Sequence, residues 1–303
     1  MNFNEINKCI SDKLESNKPF NLIRLDNSAG YLIDCLFKKI NPSPEFFNEM
    51  GLLQGGIYPH SCEYYLQEIL PRILKVMYKT DILGVVDISG EIERGNFFDN
   101  FPSVNYKFSG SLNHYILDPG GLLGYSPCGS LQDPPWTTKL KNKRVLVIST
   151  HKESILTQWE KIDKVWGNNR NIIAPFDLVD VIRSPYHPYM DDRQPPNCEH
   201  WLQSVEYIKK EIDNYDYDVL ISGSSSSSPF YVNHAKVNGK VGIQTGGVHQ
   251  LFFGIKGFRW TKKVKIHEKW EDMYNEHWIY PLQIDEAQKR KELSHLETNF
   301  AYW

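Results

Sequence analysis

The residues best equipped for chemistry in this chain fall in short polar runs, each directly behind an apolar one. Asp26-Asn27-Ser28 follows Phe20–Leu25, and Thr150-His151-Lys152-Glu153-Ser154 follows Arg144–Ser149. Gly223 and the serines Ser224, Ser225, Ser226, Ser227 and Ser228 follow Tyr217–Ser222, while Thr245-Gly246-Gly247 follows Val241–Gln244. A Gly/Ser turn feeding a helix exposes unpaired backbone N–H groups at the positive end of the helix dipole, which suits a phosphate. The same composition also makes loops and helix caps. Asp26 has the chemistry of a general base or metal ligand, or of an N-cap. His151 and Glu153 are candidates for general base or metal ligand, or for a cap and a surface residue. Further on, Lys256 and Arg259 in Gly254-Ile255-Lys256-Gly257-Phe258-Arg259-Trp260 offer two cations to a diphosphate, or form a solvated basic turn.

The elements that must position these runs are legible from periodicity. Ile6, Ile10 and Leu14 at four-residue spacing predict a first helix, and Phe20–Leu25 a buried strand. A helix is expected through Tyr31–Lys39 and another over about Ser61–Lys79, kinked or broken near Pro71. Asp81–Ile88 reads as a second strand. Residues 89–140 are rich in Gly, Pro, Asn and aromatics without clear period, and are expected to be a loop-dominated insertion. Within it, Phe97, Phe98, Tyr106 and Tyr115 either fill core or offer an acceptor platform. Arg144–Ser149 then predicts a strand, with a helical stripe at Ile155, Trp159, Ile162 and Val165. A short strand is expected at Asn171-Ile172-Ile173, then a helix at Trp201, Leu202, Val205, Ile208 and Ile212. A strand at Tyr217–Ser222, a helix from Pro229 to Gly239 and a strand at Val241–Gln244 complete the pattern. Strands alternating with helices give an α/β, Rossmann-like fold: a mostly parallel sheet with helices on both faces. In such sheets ligands bind beyond the carboxyl ends of the strands, where the polar runs fall.

Composition narrows the function classes. The 303 residues hold 34 Lys+Arg against 37 Asp+Glu, and a net charge of −3 gives no basic footprint for nucleic acid. The first 18 residues lack a continuous apolar core and no 18-residue apolar run occurs, so neither a signal peptide nor a membrane span is expected, and the chain reads as cytoplasmic. Cys9, Cys35, Cys62, Cys128 and Cys198 are odd in number and lack a CxxC pair, which predicts buried reduced thiols. GxxxxGK[ST], GxGxxG, Gly-x-Ser-x-Gly and HExxH are absent, and His267, His277 and His295 have no metal-ligand spacing.

The carboxy-terminal half resembles a family. Pro134-Pro135-Trp136 through Arg144–Ile148, Glu153-Ser154-Ile155 and Gln158 are similar to the "PW…LKGKKVLVIHPFxESIxxQ" stretch of bacterial proteins encoded with polysaccharide-synthesis genes. Asp218–Gly223 followed by Gly239–Trp260, including Gln250, resembles their "DVxxIGxGAYG…GKxAIHLGGxxQLLFGIKGxRW". Asn275–Pro281 and Ala301-Tyr302-Trp303 resemble their "NEYWVRP…GCYW". The amino half is similar to glycosyltransferases of the GT-D fold, whose R-x-G-D-G-E segment follows the first strand. Here Arg24 is retained, Asp26 stands at the Gly position, and Asn27 and Ala29 occupy the Asp-x-Glu positions.

The resemblance implies one GT-D-like domain over 1–303. Its parts are an N-terminal βα part (1–88), the insertion (89–140), a C-terminal βαβ part (141–260) and a tail (261–303). It implies a nucleotide-sugar-dependent glycosyltransferase of polysaccharide or glycoprotein glycan synthesis, with a nucleotide-sugar donor and a glycan acceptor as partners; self-association is left open. Arg24, Asn27, Ser154, Gly223, Ser224–Ser227, Gly246, Gly247, Gln250, Lys256 and Arg259 would bind the donor, and Asp26, His151 and Glu153 would act on it. The family's Mn²⁺ or Mg²⁺ would rest on Asp26 here, because the paired carboxylates are replaced. The alternative is a non-catalytic nucleotide-sugar or glycan-binding scaffold that has lost them.

Overall fold

The computed structural model of the chain describes residues 3–25, 27–39, 62–86, 97–110, 134–169, 172–173, 175–184, 195, 197–257, 260 and 271–283. Seven strands form one sheet: β1 (Phe20–Leu25), β2 (Ile82–Val86), β3 (Tyr106–Gly110), β4 (Arg144–Ser149), β5 (Asp177–Arg183), β6 (Val219–Ser222) and β7 (Val241–Gln244). Their order is β3-β2-β1-β7-β6-β4-β5, and every pairing is parallel. The α/β Rossmann-like class follows. Strands from the amino and carboxy parts meet at β1 and β7, where Phe20 pairs with Val241 and Leu22 with Ile243.

Alternation within the strands explains why both faces are covered. In β4, Val145 and Val147 join one core while Leu146 and Ile148 join the other, and in β6 Val219 and Ile221 part from Leu220 in the same way. Side chains of a strand point to opposite faces with period two, so a run apolar at every position needs helices on both sides. One face is covered by α1 (Phe3–Glu15), whose Ile6, Ile10 and Leu14 all pack against it, together with α4 (Lys152–Trp159) and α5 (Ile162–Trp166). The other carries α6 (Trp201–Ile212) and α7 (Ser228–Val237). It also carries α3, a run made of Cys62–Tyr64, a π-helical turn Tyr65–Ile69 and Leu70–Met77. On this second face α2 (Asn27–Lys38) follows β1, and on the first face α8 (His249–Phe252) follows β7. No helix among the described residues is long and apolar enough to cross a membrane.

Three expectations are corrected. Residues 89–140 are not only loop: Tyr106–Gly110 is β3, in parallel register with β2 from Ile82↔Tyr106 to Val86↔Gly110. Its sequence YKFSG is short and mixed, so its own pattern carries little strand signal. The strand expected at Asn171-Ile172-Ile173 is displaced to Asp177–Arg183; Ile172 and Ile173 are core residues outside any strand. β5 is an edge strand with four half-buried positions, and acidic Asp177 and Asp180 mask its apolar run. Of the kink or break expected near Pro71, only the break is ruled out, because the helix runs on through an irregular π-helical turn. The π-turn just before Pro71 shifts the hydrogen-bond register where proline has no N–H to give, and the Arg72 guanidinium donates to the Glu68 carbonyl.

Candidate functional site

The carboxyl ends of β1, β7, β6 and β4 lie side by side, and the chain leaves β4 toward β5 but β6 toward β7, so the sheet order reverses between β4 and β6. Crevices at such reversals are where open α/β sheets take ligands. A shallow, half-open hollow with about 10 Å³ of enclosed space lies beside β1 and β7, lined by Arg24, Leu25, Ile73, Ser225, Ser226, Pro229 and Gln244. Arg24 is the penultimate residue of β1 and only 9% exposed. Its guanidinium crosses Gly246: a Cβ built there would stand 2.2 Å from Arg24 Nη1, and the backbone at Gly246 has φ +60°. Both facts require glycine. Gln244 joins the neighbouring strands, its Oε1 accepting from the Arg24 N–H at 3.1 Å and its Nε2 donating to the Ser225 carbonyl at 3.5 Å.

The serine run is a folded turn. Ser228 Oγ accepts from the Ser224 N–H at 2.8 Å and shares a hydrogen bond of 2.8 Å with Ser222 Oγ. Ser225 has φ +44°, a left-handed conformation that costs a residue with a Cβ on the order of 1 kcal/mol. Ser225 and Ser226 line the hollow together with Arg24.

Behind the hollow stands a buried histidine. His249 Nδ1 meets the Gly246 carbonyl at 2.7 Å, so it carries the proton, and Nε2, at 2.6 Å, accepts from Ser149 Oγ. Burial pulls the imidazole down from its ordinary value to about 4, which keeps it neutral at pH 7. Its ring presses on Gly223, where a Cβ would lie 2.1 Å from ring atoms. Ser149 Oγ also accepts from the His151 N–H at 3.1 Å. A serine on a histidine oriented by a carbonyl has the connectivity of an activated nucleophile. Ser149 is 0% and His249 2% exposed, however, so no substrate reaches the hydroxyl.

The sequence candidates divide accordingly. Arg24, Gly223, Ser224–Ser227, Gly246 and Gly247 converge on the strand ends around the hollow and the histidine. His151 precedes α4 with its ring centroid 6.4 Å from that of His249. Glu153 is turned toward β5, where Arg183 Nη2 lies 3.4 Å from its carboxylate and Arg183 Nη1 donates to the Thr150 carbonyl at 3.1 Å. Ser154 is fully buried, and its Oγ accepts from the Leu282 N–H at 2.9 Å. Gln250 is fully buried too, its amide donating to the Ile255 and Lys256 carbonyls at 3.3 and 3.0 Å. Lys256 stands over the rings of Tyr274 and Tyr280 at 5.6 and 5.7 Å. Gln158, in the last turn of α4, donates to the Gly254 carbonyl at 3.0 Å. The Lys256 turn therefore sits at the far end of α4, roughly 9 Å along the helix axis from the strand ends. Asp26, Arg259 and the side chain of Asn27 lie outside the described residues.

Sequence reasoning missed Gln244 and His249. Gln244 reads as the last residue of a strand, and His249 as one polar residue in an apolar segment; only the sheet order reveals what they join. Among the described residues no three His, Cys, Asp or Glu side chains gather as a metal site. The described donors at the strand ends are hydroxyls, amides, imidazoles and a guanidinium, which do not fit a hard divalent ion that prefers carboxylate oxygens. Cys9 and Cys35 are buried free thiols, and burial pushes Cys9 up to about 11, which makes it inert. No family model, no curated protein and no solved structure matches the chain.

Proposed function

We propose that the chain is a glycosyltransferase that uses a nucleotide-sugar donor and a glycan acceptor, with the donor diphosphate lying over the strand ends against the shallow hollow beside β1 and β7. The observation that carries this reading is the lining of that hollow, which brings Arg24 together with Ser225 and Ser226 at the strand ends. Sugar transfer breaks the anomeric C–O bond and leaves negative charge on the diphosphate. A guanidinium stays charged at every relevant pH and offers paired N–H donors, while hydroxyls and turn amides add uncharged ones. Held in place before reaction, such donors stabilise charge as it develops. The resemblance of Arg24 and of residues 218–260 to GT-D-like polysaccharide-synthesis proteins supports the same reading. No step is routed through a divalent ion.

Asp26 remains the proposed base toward the acceptor hydroxyl. His249 is excluded from that role by burial, and Glu153 is committed to Arg183. The competing reading is a non-catalytic nucleotide-sugar or glycan-binding module, favoured by a hollow with no carboxylate among its lining residues.

A thermal-shift panel of UDP-, GDP-, CMP- and dTDP-sugars, with and without Mn²⁺, tests donor binding. Ligand at 100 times its Kd stabilises by about 2.7 kcal/mol, a rise of roughly 4 °C for a chain of this size. A response to one nucleotide class supports the donor site, and silence across the panel overturns it. Asp26→Ala then separates the two readings: loss of turnover with binding retained marks the enzyme, whereas an unchanged rate removes Asp26 as the base.

A further inference from the structure

His249 touches the ends of three other elements at once. Its Nε2 takes the Ser149 hydroxyl at the end of β4, its ring fills the space over Gly223 beyond β6, and its Nδ1 donates to the Gly246 carbonyl beyond β7. The backbone N–H of His249 also donates to that carbonyl, so one residue clamps the Gly246 peptide twice. Gly246 also packs against Arg24, whose Nη1 lies 2.2 Å from where a Cβ on Gly246 would stand. The conformation of the Gly246 peptide therefore sets the room the guanidinium has. Such a chain of packed, hydrogen-bonded groups couples positions that do not touch. It runs from Ser149 through His249 and Gly246 to Arg24, across four strands spaced about 4.8 Å apart.

We infer that His249 is a positioning residue for Arg24, acting through its Nδ1–H bond to the Gly246 carbonyl and not as an acid or base. The inference rests on the donor-site reading above for its functional consequence. Its structural content, that the Nδ1 bond fixes Arg24, stands apart from that reading. The Nε2 bond to Ser149 anchors the ring, and the Nδ1 bond transmits the position.

The two bonds can be cut separately. In His249→Asn the side-chain amide nitrogen takes the place of Nδ1 and still donates to Gly246, while the reach to Ser149 is lost. In His249→Gln the amide reaches the Ser149 hydroxyl from the place of Nε2, and the donor at Nδ1 is lost. Two readouts on the full chain separate the possibilities. The first needs no ligand: the rate at which phenylglyoxal modifies Arg24, followed by peptide mapping. His249→Asn is expected within twofold of wild type, and His249→Gln at least fivefold faster. The second is the Kd for inorganic pyrophosphate by calorimetry, expected within threefold of wild type for His249→Asn and at least tenfold weaker for His249→Gln.

Equal Arg24 modification rates in the two variants, whether both slow or both fast, overturn the positioning role, because a merely structural histidine would be missed equally in either form. The same holds if the Asn variant is the faster of the two. If the modification rates separate as expected but wild type binds neither pyrophosphate nor any nucleotide-sugar, His249 positions Arg24 and the donor-site reading falls.

Discussion

The two ends of this one sheet are equally polar but built to different rules. At the amino ends, charges are matched locally: Asp81 Oδ2 accepts from the Asn21 N–H at 3.0 Å and meets Lys236 Nζ at 2.8 Å. Arg144 holds Asp218 at 2.9 Å and also pairs with Asp216. At the carboxyl ends, a cation, serines and a strained turn surround a hollow, and the neutral His249 is sealed behind it. Polar residues at the amino ends close the strands against each other, whereas those at the carboxyl ends hold a space open. Strain is tolerated where it shapes that space, at Ser225, because the packed elements around it over-determine the turn, while Gly246 takes its left-handed φ without strain.

The sharpest way to break the carboxyl end is Gly223→Ala. The new methyl would stand 2.1 Å from the His249 ring, which is pinned by two hydrogen bonds and cannot retreat. Overpacking a closed core costs about 3 kcal/mol. Urea unfolding is expected to show that loss, and the surviving folded protein is expected to bind pyrophosphate at least tenfold more weakly. A variant within 0.5 kcal/mol of wild type would mean that His249 is not fixed in place.

Acid separates the two ends without mutation. Well above pH 6.5, as at pH 7.5, His249 is almost entirely neutral whether folded or not, so burying it carries little proton penalty. As pH falls from 6.5 toward 4 the unfolded chain takes up a proton that the folded chain refuses, and stability is lost until the folded value near 4 is reached. The shift corresponds to about 3 kcal/mol. Asp216 and Asp218 behave oppositely in range. Arg144 holds both below the ordinary carboxylate value of 3.8, so their contribution is intact down to about pH 5 and is lost mostly in stronger acid, below about pH 4. Urea unfolding at pH 7.5, 5.5 and 4 is expected to show the decline in wild type and little of it in His249→Asn. Identical slopes in the two proteins would assign the acid sensitivity elsewhere.

The contrast between the ends also explains what the sequence discloses. Strands buried on both faces announce themselves: Phe20–Leu25, Arg144–Ser149 and Val241–Gln244 are read from the sequence at the bounds the structure has. β3 and β5 are edge strands, and their mixed composition answers to solvent on one side as much as to the core. For the candidate site, position was legible because polar runs directly behind apolar strands mark strand ends. Partnership was not. Lys256 follows Gly246-Gly247 by only nine positions, yet the intervening α8 and its turn carry it down to Tyr274 and Tyr280. His249 and Ser149, 100 positions apart, meet at 2.6 Å because β4 and β7 flank β6.

The smallest expected effect tests whether the amino end is only a closure. Removing the Asp81 carboxylate as Asp81→Ala leaves Lys236 with only the Lys79 carbonyl and leaves the Asn21 N–H, in a fully buried strand, without its acceptor. A buried donor left unsatisfied costs about 2 kcal/mol. Asp81→Asn keeps an oxygen for that N–H and gives up only the partly exposed ion pair, so its cost is expected below about 1 kcal/mol. Neither change reaches the hollow, since the strand lengths of β1 and β2 lie between. Pyrophosphate affinity is therefore expected within twofold of wild type in both variants, while urea unfolding ranks Ala well below Asn. If Asp81→Ala weakened pyrophosphate binding tenfold while remaining folded, the two ends would act as one cooperative unit, and the division of labour drawn between them would fail.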